Sequence, residues 1–156
     1  MKLSNNLQLS EVTASNTAKR QGIDNTPNAW QKESLKTIAN EIFQPLRDSL
    51  STPIFVSSGF RSLRLNRAIG GAATSQHCKG QALDLDAHKY GSTTNKDIFE
   101  YIKDNLPFDQ LIWEFGTDEE PDWVHVSFVS LEKNRCEILK AYKNKVGKTR
   151  YKKLLV

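Results

Sequence analysis

Residues 57–86 read S-S-G-F-R-S-L-R-L-N-R-A-I-G-G-A-A-T-S-Q-H-C-K-G-Q-A-L-D-L-D. Ala82-Leu83-Asp84-Leu85-Asp86 alternates, so as a strand it puts Leu83 and Leu85 on the core face and Asp84 and Asp86 on the other. Aspartate is disfavoured in strands, which calls for a specific partner for at least one of the two. Before it, Gly70 to Ser75 is a loop of small residues that lets a ligand or another backbone come close, and it delivers the chain to His77. Pro53 to Ser57 is a short apolar strand ending at Gly59, and Arg61 to Ala68 forms a helical piece, so Arg61 emerges just past a strand end. The composition is that of a site rather than of a core.

Upstream, the segment to Pro27 is a lead-in with one short helix, for which Ser10 is a suitable N-cap with Glu11 in the first turn. From Ala29 to Leu50 the apolar residues Trp30, Leu35, Ile38, Ile42, Phe43, Leu46 and Leu50 recur near helical spacing, and Pro45 should kink or divide that helix. Downstream, Asn95 to Asn105 reads as an amphipathic helix burying Ile98, Phe99 and Ile102. Gln110 to Phe115 and Trp123 to Val129 are strand candidates that can form a hairpin across an acidic loop. In the second, His125 shares a face with Trp123 and Ser127, opposite the apolar row Val124, Val126 and Phe128. Cys136 to Tyr142 and Lys148 to Leu155 read as a basic C-terminal hairpin.

A length of 156 residues suits one compact domain, here divided into a lead-in (1–27), a core (28–130) and the tail (131–156). The apolar fraction of 38% and charged fraction of 26% are those of a globular protein, and no apolar run approaches a membrane span. The N-terminal residues are interrupted by amides where a secretory signal needs an apolar core, so synthesis without a signal peptide is expected. The two cysteines, Cys78 and Cys136, make no disulfide framework and no metal knuckle. The net charge of +4 is concentrated in residues 131–156, where nine Lys or Arg meet two Glu. That surface is either a solvated edge guarded by lysines or a contact for an anionic partner.

Two histidines and a carboxylate are usual protein ligands of a catalytic zinc, and His77, Asp84 and His125 fit that set from three elements able to lie together. His88, in a loop, reads as a surface residue. Hydrolysis also needs a general base and a group for developing negative charge. Asp122 is the obvious base, although in a regular strand its odd separation from His125 turns it to the other face; Glu114, Glu119 and Glu120 are its rivals. Arg61 suits a carboxylate or an oxyanion, or else is an arginine packed along a helix end.

At these residues the chain resembles the zinc D-Ala-D-Ala carboxypeptidases and peptidoglycan endopeptidases (peptidase M15). The motif S-x-H-x-x-G-x-A-x-D is met by Ser75, His77, Gly80, Ala82 and Asp84, with S-G-F-R-S at residues 58–62 and Asp122, Trp123 and His125 in support. The resemblance implies zinc held by His77, Asp84 and His125, Asp122 as general base and proton donor, Arg61 steadying a substrate carbonyl or carboxylate, and Ser75 in substrate binding. It implies an α+β fold of the hedgehog/DD-peptidase type, a small antiparallel sheet with helices on one side and the zinc in a groove on the other. The implied substrate is the stem peptide of peptidoglycan, cut by a lytic endopeptidase acting at the cell wall. A D-Ala-D-Ala carboxypeptidase and a non-catalytic, zinc-stabilised wall-binding module are the alternatives. An anionic wall polymer is a candidate partner for the basic tail, and nucleic acid is not expected.

Overall fold

The chain is described over residues 1–154 by a computed structural model. It opens with two short antiparallel strands, β1 (Lys2–Ser4) and β2 (Leu7–Gln8), then helices α1 (Leu9–Thr13) and α2 (Asn16–Gln21). This lead-in carries more structure than the one helix expected. Ser10 does not cap α1; Glu11 accepts the N–H of Gln8 at 2.7 Å, while Ser15 caps α2 through the Ala18 N–H at 3.1 Å. Leu3, Leu7 and Val12 sink into the core, which makes the lead-in part of the packing.

Asn28 and Gln31 cap α3 (Ala29–Ile38) reciprocally. The helix then widens to a π turn over Ala39–Phe43 and continues as α4 (Gln44–Leu50). Pro45 sits in the first turn of α4, where its missing N–H costs least, and the π turn just before it lets one helical path run through. Trp30 does not join the apolar stripe. Five residues before Leu35, it lies about 140° around the helix, and it is 85% exposed.

Strand β3 (Phe55–Ser58) leads to α5 (Leu63–Ala68), capped by Ser62, and a 3₁₀ turn over Gln76–Lys79 precedes β4 (Ala82–Asp86). Helix α6 (Asn95–Asn105) buries Ile98, Phe99 and Ile102 as its spacing requires. The remaining strands are β5 (Gln110–Glu114), β6 (Trp123–Ser127), β7 (Glu137–Lys143) and β8 (Thr149–Lys153). The tail hairpin forms as expected, apart from Leu155, which lies outside the described residues.

The six strands β3 to β8 make one sheet in the order β3-β4-β6-β5-β7-β8. The architecture is α+β, but the sheet is mixed rather than wholly antiparallel: β7 runs parallel to β5 because residues 128–136 carry the chain from β6 to the far side of β5. On one sheet face Leu83, Leu85, Leu111, Val124 and Val126 join the helix residues Ile38, Ile42, Phe43, Ile98 and Ile102 in a continuous core. The other face carries Asp84, His125, Ile112 and Glu114. Among the described residues no helix is long and apolar enough to cross a membrane.

Helix α3 packs directly on the turn before β4. Gly80 has φ +71°, and a Cβ there would lie 2.6 Å from the Gln31 carbonyl oxygen. Gly80→Ala therefore meets both left-handed backbone strain and a backbone clash. It should cost about 2 kcal/mol or more and lower Tm by about 5 °C in a thermal melt; an unchanged melt would contradict this packing.

Candidate metal centre and cleft

Three elements bring His77, Asp84 and His125 together so that one ligand atom from each lies within 4.8 Å of the others. Asp84 on β4 stands directly opposite His125 on β6 in the antiparallel register, and same-face neighbours at that position touch. Asp84 Oδ1 lies 2.9 Å from His125 Nδ1 and 3.3 Å from His77 Nε2, and the two imidazoles meet edge to face at 5.2 Å.

His77 is held from behind. Its Nδ1 lies 2.7 Å from the Gly59 carbonyl, which only accepts, so Nδ1 carries the proton and Nε2 presents its lone pair to the site. The Ser75 hydroxyl accepts the His77 N–H at 3.3 Å, and the Arg61 N–H donates to the His77 carbonyl at 3.1 Å. Gly59 is in turn fastened to the lead-in: the Phe60 N–H donates to the Val12 carbonyl at 2.7 Å, and a Cβ on Gly59 would strike Val12. The N-terminal residues thus aim the first candidate ligand.

The donor set fits a metal ion. His77 Nε2 is buried with no hydrogen-bond partner among the described residues. A lone pair left unpaired beside a buried carboxylate is unfavourable unless a cation lies between them. Two imidazole nitrogens and one carboxylate leave room for a fourth ligand, the pattern of a catalytic centre. Burial alone would raise the Asp84 carboxyl, but positive charge on the facing imidazoles, for which a bound cation would substitute, outweighs it and holds its pKa below the usual carboxylate range. The Asp84 charge is therefore kept where a cation would need it.

Arg61 is fixed as a fork above the centre. Its Nε donates to Ser58 Oγ at 3.2 Å, Nη1 to Asn66 Oδ1 at 3.1 Å, and Nη2 lies 3.8 Å from Asp84 Oδ2. Asn66, 2% exposed, anchors this arrangement by donating to the Ala72 carbonyl of the glycine loop. A side chain trailing along a helix end would not be tied at three nitrogens.

These groups line a cleft of about 810 Å³ with Ser75, Ile112, Glu114, Trp123 and, from the tail, Leu139 and Tyr151. Glu114 pairs with Trp123 across β5 and β6, so its side chain rises on the His125 face. Burial pushes its carboxyl up to about 7, against the opposing pull of His125. Among the rivals for the base, Glu114 is the one in the cleft.

Asp122, expected as the base, is not among the cleft residues. It is exposed, and its N–H donates to the Glu114 carbonyl at 2.9 Å, one residue out of the β5–β6 register, in the irregular end that precedes β6. Its charge is felt by His88. Glu119 is exposed, while Glu120 meets His88 at 2.9 Å and accepts the Asn95 N–H at the start of α6. His88 is the surface residue expected. Asp86 also finds its partners here, accepting from the His88 N–H and from Asn95 Nδ2. Cys78 is buried, which raises its thiol pKa, and Cys136 is exposed.

One supporting residue left no sequence signal. Asp109, 2% exposed, accepts both the Nε and Nη2 donors of Arg135, at 3.0 and 2.8 Å, and Gln76 Nε2 at 3.0 Å. Burial would raise its carboxyl, but the Arg135 bonds bring it down to about 2. It ties the turn that carries His77 to the start of the tail, a link between residues far apart in the chain.

A family model described as Peptidase M15 matches residues 5–127, a span that includes all three candidate ligands, Arg61 and Glu114 and stops before the tail hairpin. No curated protein matches the chain at a significant level.

The Glu114 pKa leaves a thermodynamic signature. Between pH 4.5 and about 7 the folded, metal-free protein keeps a proton that the unfolded chain has released. Stability contributed by this group is full below that window, falls as pH rises through it, and is level above it. The stability of the wild type relative to Glu114→Gln should fall by on the order of 2 kcal/mol across the window. Urea titrations of both proteins at a series of pH values measure it, and a pH-independent difference would exclude the shift.

Proposed function

The chain belongs to the peptidase M15 family, and from that premise we propose that it is a zinc-dependent peptidase of the peptidoglycan stem peptide, cutting within the peptide as a lytic endopeptidase. The observation that carries this reading is the joint placement of a His/Asp/His centre, a buried Glu114 poised near neutrality and a fixed Arg61 in one open cleft. The mixed nitrogen and oxygen donors suit zinc. Bound there, the ion supplies Lewis acidity, polarising the scissile carbonyl and easing deprotonation of the attacking water.

The protein's own side chains account for the rest. Glu114, with a pKa near working pH, takes the proton of the attacking water and returns it to the departing amine. Arg61, its fork held by Ser58 and Asn66, faces the carbonyl oxygen as charge develops on it and pays little reorganisation cost at that moment. The Asp84 carboxylate keeps the His125 imidazole oriented, and the Gly59 carbonyl does the same for His77. Ser75 braces His77 through the backbone and borders the cleft, where its hydroxyl also meets the bound chain.

Besides the candidate ligands, the cleft is lined by the glycine loop and by the sheet floor running toward the tail. This favours a substrate that continues past the scissile bond in both directions. The carboxypeptidase alternative uses the same centre with Arg61 binding a terminal carboxylate.

Mass spectrometry of digested muropeptides tests the assignment. The wild type should release internal fragments of the stem; loss of a single terminal alanine would mark a carboxypeptidase, and absence of any cleavage would leave only a binding module. Glu114→Gln should lower the rate by about 10²–10⁴-fold, while Asp122→Ala should stay near wild type; the reverse pattern would restore Asp122 as the base. Zinc addition should raise the Tm of the metal-free wild type, with the gain lost in His77→Ala. An equal gain in both proteins would place the ion elsewhere.

A further inference from the structure

The tail hairpin lies beyond the span shared with the family, yet it enters the cleft. Cross-strand partners share a face, so the register defines rows of side chains across the sheet. One row runs Asp84, His125, Ile112, Leu139 through β4, β6, β5 and β7, and the next runs Trp123, Glu114, Ala141, Tyr151 through β6, β5, β7 and β8. Ile112 and Leu139 thus pave a floor beside the centre, and Tyr151 stands at the far edge, lining the same cleft as Glu114. Ala141, between them in the row, is fully buried beneath its neighbours.

Resting on the peptidase reading above, we propose that the hairpin β7–β8 is a working wall of the cleft and that Tyr151 is a specificity-determining residue, its hydroxyl donating a hydrogen bond to a carbonyl of the bound peptide over the Ile112–Leu139 floor. Three strand spacings separate β6 from β8, about 14 Å, the reach of about four extended residues. A chain whose scissile bond sits at His125 therefore arrives at Tyr151 with its next residues, and the floor favours small or apolar side chains there. Burial, reinforced by the negative charges of Glu114 and Asp84, raises the Tyr151 phenol pKa and keeps the hydroxyl a donor. Arg150 and Lys152 alternate with Tyr151 along the edge strand and are exposed, while Tyr151 lines the cleft.

The test uses the full chain with zinc added. Tyr151→Phe removes only the hydroxyl from a half-exposed position on an edge strand, so its Tm should match that of the wild type. Binding of a purified stem tetrapeptide is followed by tryptophan fluorescence in the Glu114→Gln protein and in the double variant Glu114→Gln/Tyr151→Phe. The loss of one hydrogen bond should weaken binding by about 3–10-fold, and in the active protein Tyr151→Phe should raise KM by a similar factor with kcat little changed. Equal affinities in the two proteins, or a fall confined to kcat, would overturn the role of Tyr151 while leaving the peptidase reading intact. A Glu114→Gln protein that binds no stem peptide, paired with a wild type that cuts none, would instead remove the reading on which the proposal rests.

Discussion

The carboxylate of Asp84 is buried between two imidazoles and beneath a guanidinium, and much of the structure serves to make that placement tolerable. A buried charge needs partners, and partners that come from distant segments need a scaffold that holds them. The β4–β6 register supplies His125, the 3₁₀ turn supplies His77, and the chain end after β3 supplies Arg61. The orphaned lone pair of His77 is the sign that one more positive group belongs there.

Rigidity at this point comes from outside the site. Val12 pins Gly59, whose carbonyl fixes the His77 tautomer; Gly80 lets α3 press on the turn; Asp109 ties Gln76 to the tail through Arg135. Each link joins segments far apart in sequence. The lead-in and the tail therefore act as braces of the centre, and neither is an appendage.

The same sheet face explains how a cleft can be both polar and apolar. Charged residues gather where β4, β6 and β5 meet, and aliphatic residues of β5 and β7 pave the continuation, so polar and apolar groups occupy neighbouring parts of one surface. Only the parallel pairing of β7 with β5 brings the tail hairpin into line with that surface.

The candidate ligands His77, Asp84 and His125 and the cation Arg61 were legible because local motifs carry them: alternation sets the face of Asp84 and of His125, and a small-residue loop announces His77. Helix α6 and the strand pair β5–β6 were legible from period alone. A candidate base was harder to place. Alternation could not place Asp122, because the strand end before β6 is irregular and leaves it outside the cleft lining, while Glu114 reached the cleft because a neighbouring strand carries it to the His125 face. The outward Trp30, the structured lead-in, the role of Asp109 and the tail at the cleft wall were likewise decided by packing. The sequence by itself determined which residues could do chemistry and which way each strand faces, because those depend on neighbours a few positions away. Only the tertiary structure decided which of them meet, because strand order and register are set by contacts between segments whose separation in the chain carries no period.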